Sequence, residues 1–293
     1  MNYNYSKLNL SDNFMFVNTV SDKEVCEALL SKIMGFDVEV IEDPASEKSM
    51  MAARGTKASK LDVYVRDSKG TVYDVEMQTT YDKGEFSKRL RFYGSISDVV
   101  ELGKGKHYRE LPISYIIFIC TFDPFEEGRY IYSFENVCLE DKKIHLKDGA
   151  KKIILNTRGN KGDIDPDLKE FLAYLENSTE EQARTSEGRL TKLAHDRLEL
   201  LKKDPRKEAE HMTVQDWIDD EARKAANKAA QEARIIALKE GREEGREEGR
   251  VEGREEGREE GREEGRSTMI EAMRKYGLPD EVIQKIGSMC AAQ

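Results

Sequence analysis

Three carboxylates, Asp62, Asp74 and Glu76, stand with Lys60 and Gln78 at even spacings in two short runs on either side of Ser68-Lys69-Gly70. Both runs alternate in character, so they read as strands of a β-hairpin. With Gly70 in the left-handed position of a three-residue loop, residues whose numbers sum to 138 face one another. Leu61 then pairs with Met77, Val63 with Val75 and Val65 with Tyr73, an apolar face by the two-residue period. The opposite face sets Lys60 against Gln78, Asp62 against Glu76 and Tyr64 against Asp74. Three carboxylates crowded on one face repel one another unless a cation sits among them, so the pattern outlines a divalent metal site. The alternative is a half-exposed sheet whose outer face is charged.

Composition narrows the field around this hairpin. The chain has 293 residues, 36% of them charged and 38% hydrophobic, enough for one substantial domain with additional elements. No apolar run approaches the roughly 20 residues that span a bilayer. The start, Met-Asn-Tyr-Asn-Tyr-Ser-Lys, lacks a basic region followed by an apolar core. A cytoplasmic protein with no membrane partner is expected. Cys26, Cys120, Cys138 and Cys290 form no C-x-x-C and read as thiols; His107, His145, His195 and His211 show no ligand spacing.

The net charge of −10 is unevenly spread, because residues 1–160 hold 23 Lys and Arg against 25 Asp and Glu. Within that part, 48–66 hold five basic residues and one acid, and 83–109 hold seven and three. Both stretches flank the acidic hairpin, as a metal centre acting on a phosphate backbone requires. Lys57, Lys88 and Arg91 are the candidate DNA contacts, although clusters of this size are also common as solvated faces.

The elements that would position these groups follow in order. Ser21-Asp-Lys-Glu24 resembles a capping box for a helix over about 22–34 that stops at Gly35. Residues 36–41 alternate like a strand, and 45–58 read as a mobile basic loop. After the hairpin, Phe86, Leu90, Tyr93, Ile96 and Val100 give an apolar stripe for a helix over about 84–102, with Lys88 and Arg91 to the side. The nearly unbroken apolar run 113–122 predicts a central strand covered on both faces. Further strands are expected near 129–138 and 152–156, and a helix over about 166–175 after Asp165-Pro166.

Residues 178–240 read as charged helix, with Trp217 a docking point. Residues 241–266 repeat Gly-Arg-Glu-Glu, with Val251 replacing one Glu. A fourfold period advances about 40° per repeat on an α-helix, so the glycines spiral around it. Each Gly costs up to about 1 kcal/mol relative to Ala, which makes the segment a marginal helix, either a solvated spacer or a Gly-lined contact with a second copy. The last 27 residues read as two short amphipathic helices.

Taken as a set, these residues resemble the recombination-promoting nuclease (Rpn) and transposase family of the PD-(D/E)XK superfamily. The matching features are Ser11-Asp-Asn-Phe-Met-Phe16, Asp62 with Glu76-Met-Gln78, and Lys88-Arg-Leu-Arg-Phe-Tyr93. Ile116 to Cys120 with Phe122-Asp-Pro-Phe125, Tyr132-Ser-Phe-Glu-Asn136 and Leu155-Asn-Thr-Arg-Gly159 complete them. The resemblance implies an α/β fold with an αβββαβ restriction-endonuclease-like core over 1–176. A charged helical extension at 177–240, the repeat at 241–266 and a helical hairpin at 267–293 would follow. It also implies a DNA endonuclease linked to recombination or transposition and dependent on Mg²⁺, with Mn²⁺ as a substitute. Asp62 and Glu76 would hold the metal, and Asp12 or Glu27 could add an acid. Gln78 stands where the family signature has Lys, and Gln supplies no charge; Lys60, facing it across the hairpin, is the candidate replacement. The alternative function is a catalytically weak nuclease-fold protein that binds DNA or a partner and assembles as a homo-oligomer through its C-terminal helices.

Overall fold

The computed structural model describes residues 4–41, 45–50 and 59–289. Near the N-terminus α1 (Asn13–Val20) is capped by Asp12, whose carboxylate accepts the Met15 N–H at 3.2 Å. Asp22 caps α2 (Lys23–Met34) in the same way, and Gly35 ends it with φ 73°. A six-stranded sheet follows: β1 (Ala45–Met50), β2 (Ser59–Arg66), β3 (Val72–Gln78), β4 (Ser114–Cys120), β5 (Ile131–Phe134) and β6 (Ala150–Asn156). Its spatial order is β1-β2-β3-β4-β6-β5. The first three strands are antiparallel, β3, β4 and β6 run parallel, and β5 closes the far edge antiparallel to β6. A helix α3 (Phe86–Glu101) makes the crossover between β3 and β4, as parallel neighbours require.

The hairpin has the register that the sequence predicts. Val63 pairs with Val75, Tyr64 with Asp74, Val65 with Tyr73 and Arg66 with Val72. Gly70 has φ 82°, and the Asp67 N–H bonds to the Thr71 carbonyl across the loop at 3.0 Å. Val63, Val65, Tyr73, Val75 and Met77 enter the larger core, against α1 and α2 and against α4 (Pro166–Glu176) and α6 (Arg189–Lys202). Leu61 departs from the expectation: it joins the smaller cluster under α3, with Phe86, Leu90, Tyr93 and Phe118. That second face is also the acidic one, so the carboxylates lie beneath α3.

Two expectations N-terminal to the hairpin need correction. Residues 36–41 form no strand; they carry only the isolated bridge Val40 to Asp67. Two of their donors go to side chains, Val38 N–H to Ser31 Oγ at 2.8 Å and Val40 N–H to Glu27 Oε1 at 2.9 Å, while the Ile41 N–H bonds to the Arg66 carbonyl at 3.1 Å. The first strand is instead Ala45–Met50, within the stretch expected to be a loop, and it pairs along β2 from Tyr64 to Ser59. Its polar sequence Ala-Ser-Glu-Lys-Ser-Met suits an edge strand. Lys57 lies outside the described residues.

The compact first unit extends to Thr213, past residue 176. Leu190, Ala194, Leu198 and Leu201 make a buried stripe along α6, each Leu stabilising by about 1.5–3 kcal/mol on full burial. The start of α6 has no side-chain cap of its own. Carboxylates of α4 serve instead: Asp167 accepts the N–H groups of Arg189 and Leu190, and Glu170 accepts that of Gly188 at 2.9 Å. Between them lies the short α5 (Glu180–Thr185).

Helix α7 spans Pro205–Lys275, and the second unit, which begins at Val214, also contains α8 (Asp280–Met289). Every residue of 241–266 is exposed, and a methyl added at any of Gly241 to Gly265 in the repeat would meet nothing within 4 Å. Trp217 is 65% exposed. Among the described residues, no helix is long and apolar enough to cross a membrane.

Candidate active site

Beyond the Val63–Val75 pair the β2–β3 ladder gives way to bonds made by the carboxylates themselves. The Asp62 N–H donates to Glu76 Oε1 at 2.9 Å, and the Met77 N–H donates to Asp62 Oδ2 at 3.0 Å. Asp62 and Glu76 are thus joined across the two strands, 8% and 2% exposed. Asp74 lies on the same face two residues before Glu76, fully buried, and no N–H or hydroxyl group donates to either of its oxygens, the carboxyl of Glu76 being its polar neighbour. Burial first, and then the charge of Asp62, raise both Glu76 and Asp74 well above the ordinary carboxylate range. The Asp62 N–H and the positive charge of Arg89 draw Glu76 partly back, and the carboxyl of Glu76 does so for Asp74.

Arg89 is the residue that sequence reasoning passed over. It sits one turn into α3 and donates from Nη1 to Gln78 Oε1 at 2.8 Å and from Nη2 to Tyr93 Oη at 3.2 Å. Its guanidinium carbon lies 5.7 Å from the Tyr93 ring centroid. Burial acts against its charge; Tyr93 and the carboxylates of Glu76 and Asp62 favour it, and its pKa is raised. A signal was present in the sequence. Phe86, Arg89 and Tyr93 fall at i, i+3 and i+7, so Arg89 is a single cation within the apolar stripe of α3.

The other expected contributors sit on several elements. Lys88 and Arg91 are exposed on α3. Arg91 lines a small cavity with Lys151 and Lys152 near the start of β4, whereas Gln78 pairs with Cys120 at its end. The backbone of Lys60 pairs with Ser49. Asp12 is occupied as the cap of α1, and Glu27 by the Val40 N–H, so both carboxylates have structural work. Cys26 and Cys120 are buried free thiols, and burial pushes Cys26 up to about 12 and Cys120 higher, which rules out a ready thiolate.

The remaining signature residues build the loops at this end of the sheet. Asp123 receives the Tyr132 hydroxyl at 2.8 Å and the Gly128 N–H at 2.6 Å. The Asn156 amide donates to the Arg129 carbonyl at 3.1 Å, and the Thr157 hydroxyl donates to that of Cys120 at 3.1 Å. Tyr81, Phe86 and Phe122 pack ring against ring, with centroids 5.0 to 6.0 Å apart, beside the end of β3.

The donor set is compatible with a small hard cation. Among the described residues no group of three His, Cys, Asp or Glu side chains is arranged to hold a metal ion. Mg²⁺ asks for less, because it keeps several waters and is commonly held by one or two carboxylates together with phosphate oxygens. Buried acids with one oxygen pair lacking any donor are the environment in which such a charge is favourable.

Comparison with curated proteins and with solved structures gave no match. A family model described as PD-(D/E)XK nuclease family transposase matches residues 14–235. That range takes in the sheet, the acidic hairpin and α3, and the chain therefore belongs to the PD-(D/E)XK nuclease family transposases.

Proposed function

We propose that the protein is a Mg²⁺-dependent DNA endonuclease acting in recombination or transposition, with Asp62 and Glu76 as its metal ligands. The observation that carries this reading is the buried acidic face of the hairpin, where Asp62 and Glu76 meet and Asp74 stays without a donor. Natural cores seldom keep such a cluster, because each buried unpaired carboxyl costs stability. Membership of a nuclease and transposase family supports DNA as the substrate.

In this reading Asp62 and Glu76 hold the cation at the end of the hairpin, and Asp74 adds negative potential behind them. The bound metal supplies Lewis-acid stabilisation of the scissile phosphate and a water of lowered pKa. Gln78 offers hydrogen bonds beside that phosphate, and its partner Arg89 keeps a positive charge next to the acids. Hydrolysis forms one bond from a water oxygen to phosphorus and breaks one phosphoester P–O bond; the water proton passes to solvent and the departing oxygen is protonated. The exposed Lys88 serves as a contact to the phosphate backbone.

Supercoiled plasmid incubated with the purified full chain is expected to be nicked or linearised with Mg²⁺ or Mn²⁺ and left intact with chelator. Asp62→Ala should leave it intact in either metal. Cleavage by Asp62→Ala at the wild-type rate would overturn the assignment. Stoichiometric DNA binding with no turnover in any divalent metal would favour a scaffold that binds DNA without cutting it.

A further inference from the structure

The positive charge next to the acids comes from α3 in this structure, and it reaches the end of β3 through an amide. Gln78 is 6% exposed and its side-chain oxygen is committed to the Arg89 guanidinium at 2.8 Å. An amide bound in this way presents its NH₂ as the end left for a ligand. The cation on its oxygen polarises the group and strengthens those N–H donors. We propose that Arg89 and Gln78 work as a relay, in which Arg89 supplies the charge and Gln78 delivers it, as two N–H donors, to an oxygen of the scissile phosphate. This rests on the nuclease reading above and adds to it the source of the charge that Gln78 lacks.

Three features of the surroundings fit a fixed relay better than an incidental surface contact. Arg89 is held at both ends of its fork, by Gln78 and by the Tyr93 hydroxyl, so its planar group has one orientation. It is partly buried under α3 and shares the acidic face with Glu76 and Asp62, whose charges act on it. Tyr93 is itself packed on Phe118 of β4, with ring centroids 5.8 Å apart, which ties the helix position to the sheet. A charge moved one group back, to about twice the distance, keeps roughly half its Coulombic effect. The relay therefore retains catalysis at a reduced level compared with a lysine on the strand. Arg89 acts through Gln78 and is a positioning residue; Gln78 is the group that meets substrate.

Steady-state cleavage of plasmid by full-length variants in Mg²⁺ tests the relay. Arg89→Ala is expected to lower kcat by about 10²-fold, the scale of losing one electrostatic donor, with KM for DNA changed by less than about threefold. Arg89→Met, which keeps the apolar stem over Tyr93, should be equally slow and guards against a packing defect. Adding Gln78→Lys to Arg89→Ala places an ammonium where the amide stood and should restore kcat to within about tenfold of wild type. A purely structural role for Arg89 would not be rescued by a charge at residue 78. Arg89→Met cutting at the wild-type rate, or a double variant as slow as Arg89→Ala, would overturn the relay. A wild-type protein that cuts in no divalent metal would instead overturn the nuclease reading itself, so the two failures are distinct.

Discussion

Replacing Glu76 with Gln is expected to stabilise the metal-free protein and to cripple the proposed DNA cleavage. Glu76 is 2% exposed, next to Asp62 and Asp74, and its pKa is raised well above the ordinary carboxylate range, first by burial and then by those two charges. A carboxyl whose folded pKa lies above its unfolded value contributes fully to stability below the unfolded pKa. That contribution is lost as pH rises through the folded value. At pH 7 the ionised group, or the proton it must retain, therefore works against folding, and the neutral amide of Gln removes the conflict at nearly the same volume. The gain is expected to be about 1–3 kcal/mol, the scale of an ill-satisfied buried polar group. It should vanish in acid below pH ~4, where the wild-type carboxyl is protonated in both states. Cleavage should fall by about 10³-fold, as when an electrostatic element of a site is removed. Mg²⁺ should raise the melting temperature of the wild type through binding to the folded state and leave that of Glu76→Gln nearly unchanged. Thermal melts of both proteins at pH 4 and 7, with and without Mg²⁺, check all of this. A variant less stable than wild type at pH 7 without metal would contradict it.

Gly159→Ala should be among the most damaging substitutions outside the acidic face of the hairpin. A methyl at residue 159 would lie 2.6 Å from the Tyr130 Cα and 2.6 Å from its ring. Tyr130 cannot retreat easily, because its N–H bonds to the Lys161 carbonyl at 3.1 Å and its carbonyl accepts the Asn156 N–H at 2.9 Å. Overpacking against pinned backbone costs about 3 kcal/mol, the upper end of the usual range. For a unit of this size that corresponds to a fall in melting temperature of roughly 6–12 °C. Cleavage per folded molecule should stay near wild type, since the acids and Arg89 lie on other elements. A melting temperature within about 1 °C of wild type would show that the loop yields where its hydrogen bonds say it is fixed.

The two examples differ in how far the sequence reveals them. The hairpin was legible to the residue, because a period of two, a glycine in a three-residue loop and apolar partners on one face leave a single register. What that rule misses is the fraying of the ladder past Val63, where Asp62 and Glu76 replace strand bonds with their own and Leu61 turns to the α3 side. The strand Ala45–Met50 was hidden because a polar edge strand has no alternation to read. Helix α6 falls within the stretch 178–240 that reads as charged helix; what composition hid is its burial, because its Leu190, Ala194, Leu198 and Leu201 stripe is regular but charged residues dominate the stretch around it. Arg89 was missed because α3 was read for its apolar positions alone, and Lys88 and Arg91 beside it appeared the freer cations. Gly159 carries no periodic signal, and only the closeness of Tyr130 explains it.

The central claim is that the acidic end of the β2–β3 hairpin is a divalent-cation site. Mn²⁺ binding to the purified full chain, read from the loss of the free-ion electron paramagnetic resonance signal, addresses it most directly and needs no DNA. Saturable binding by wild type that is lost in Asp62→Ala and in Glu76→Gln, both folded by circular dichroism, is the predicted result. Equal Mn²⁺ binding by all three proteins would contradict the claim.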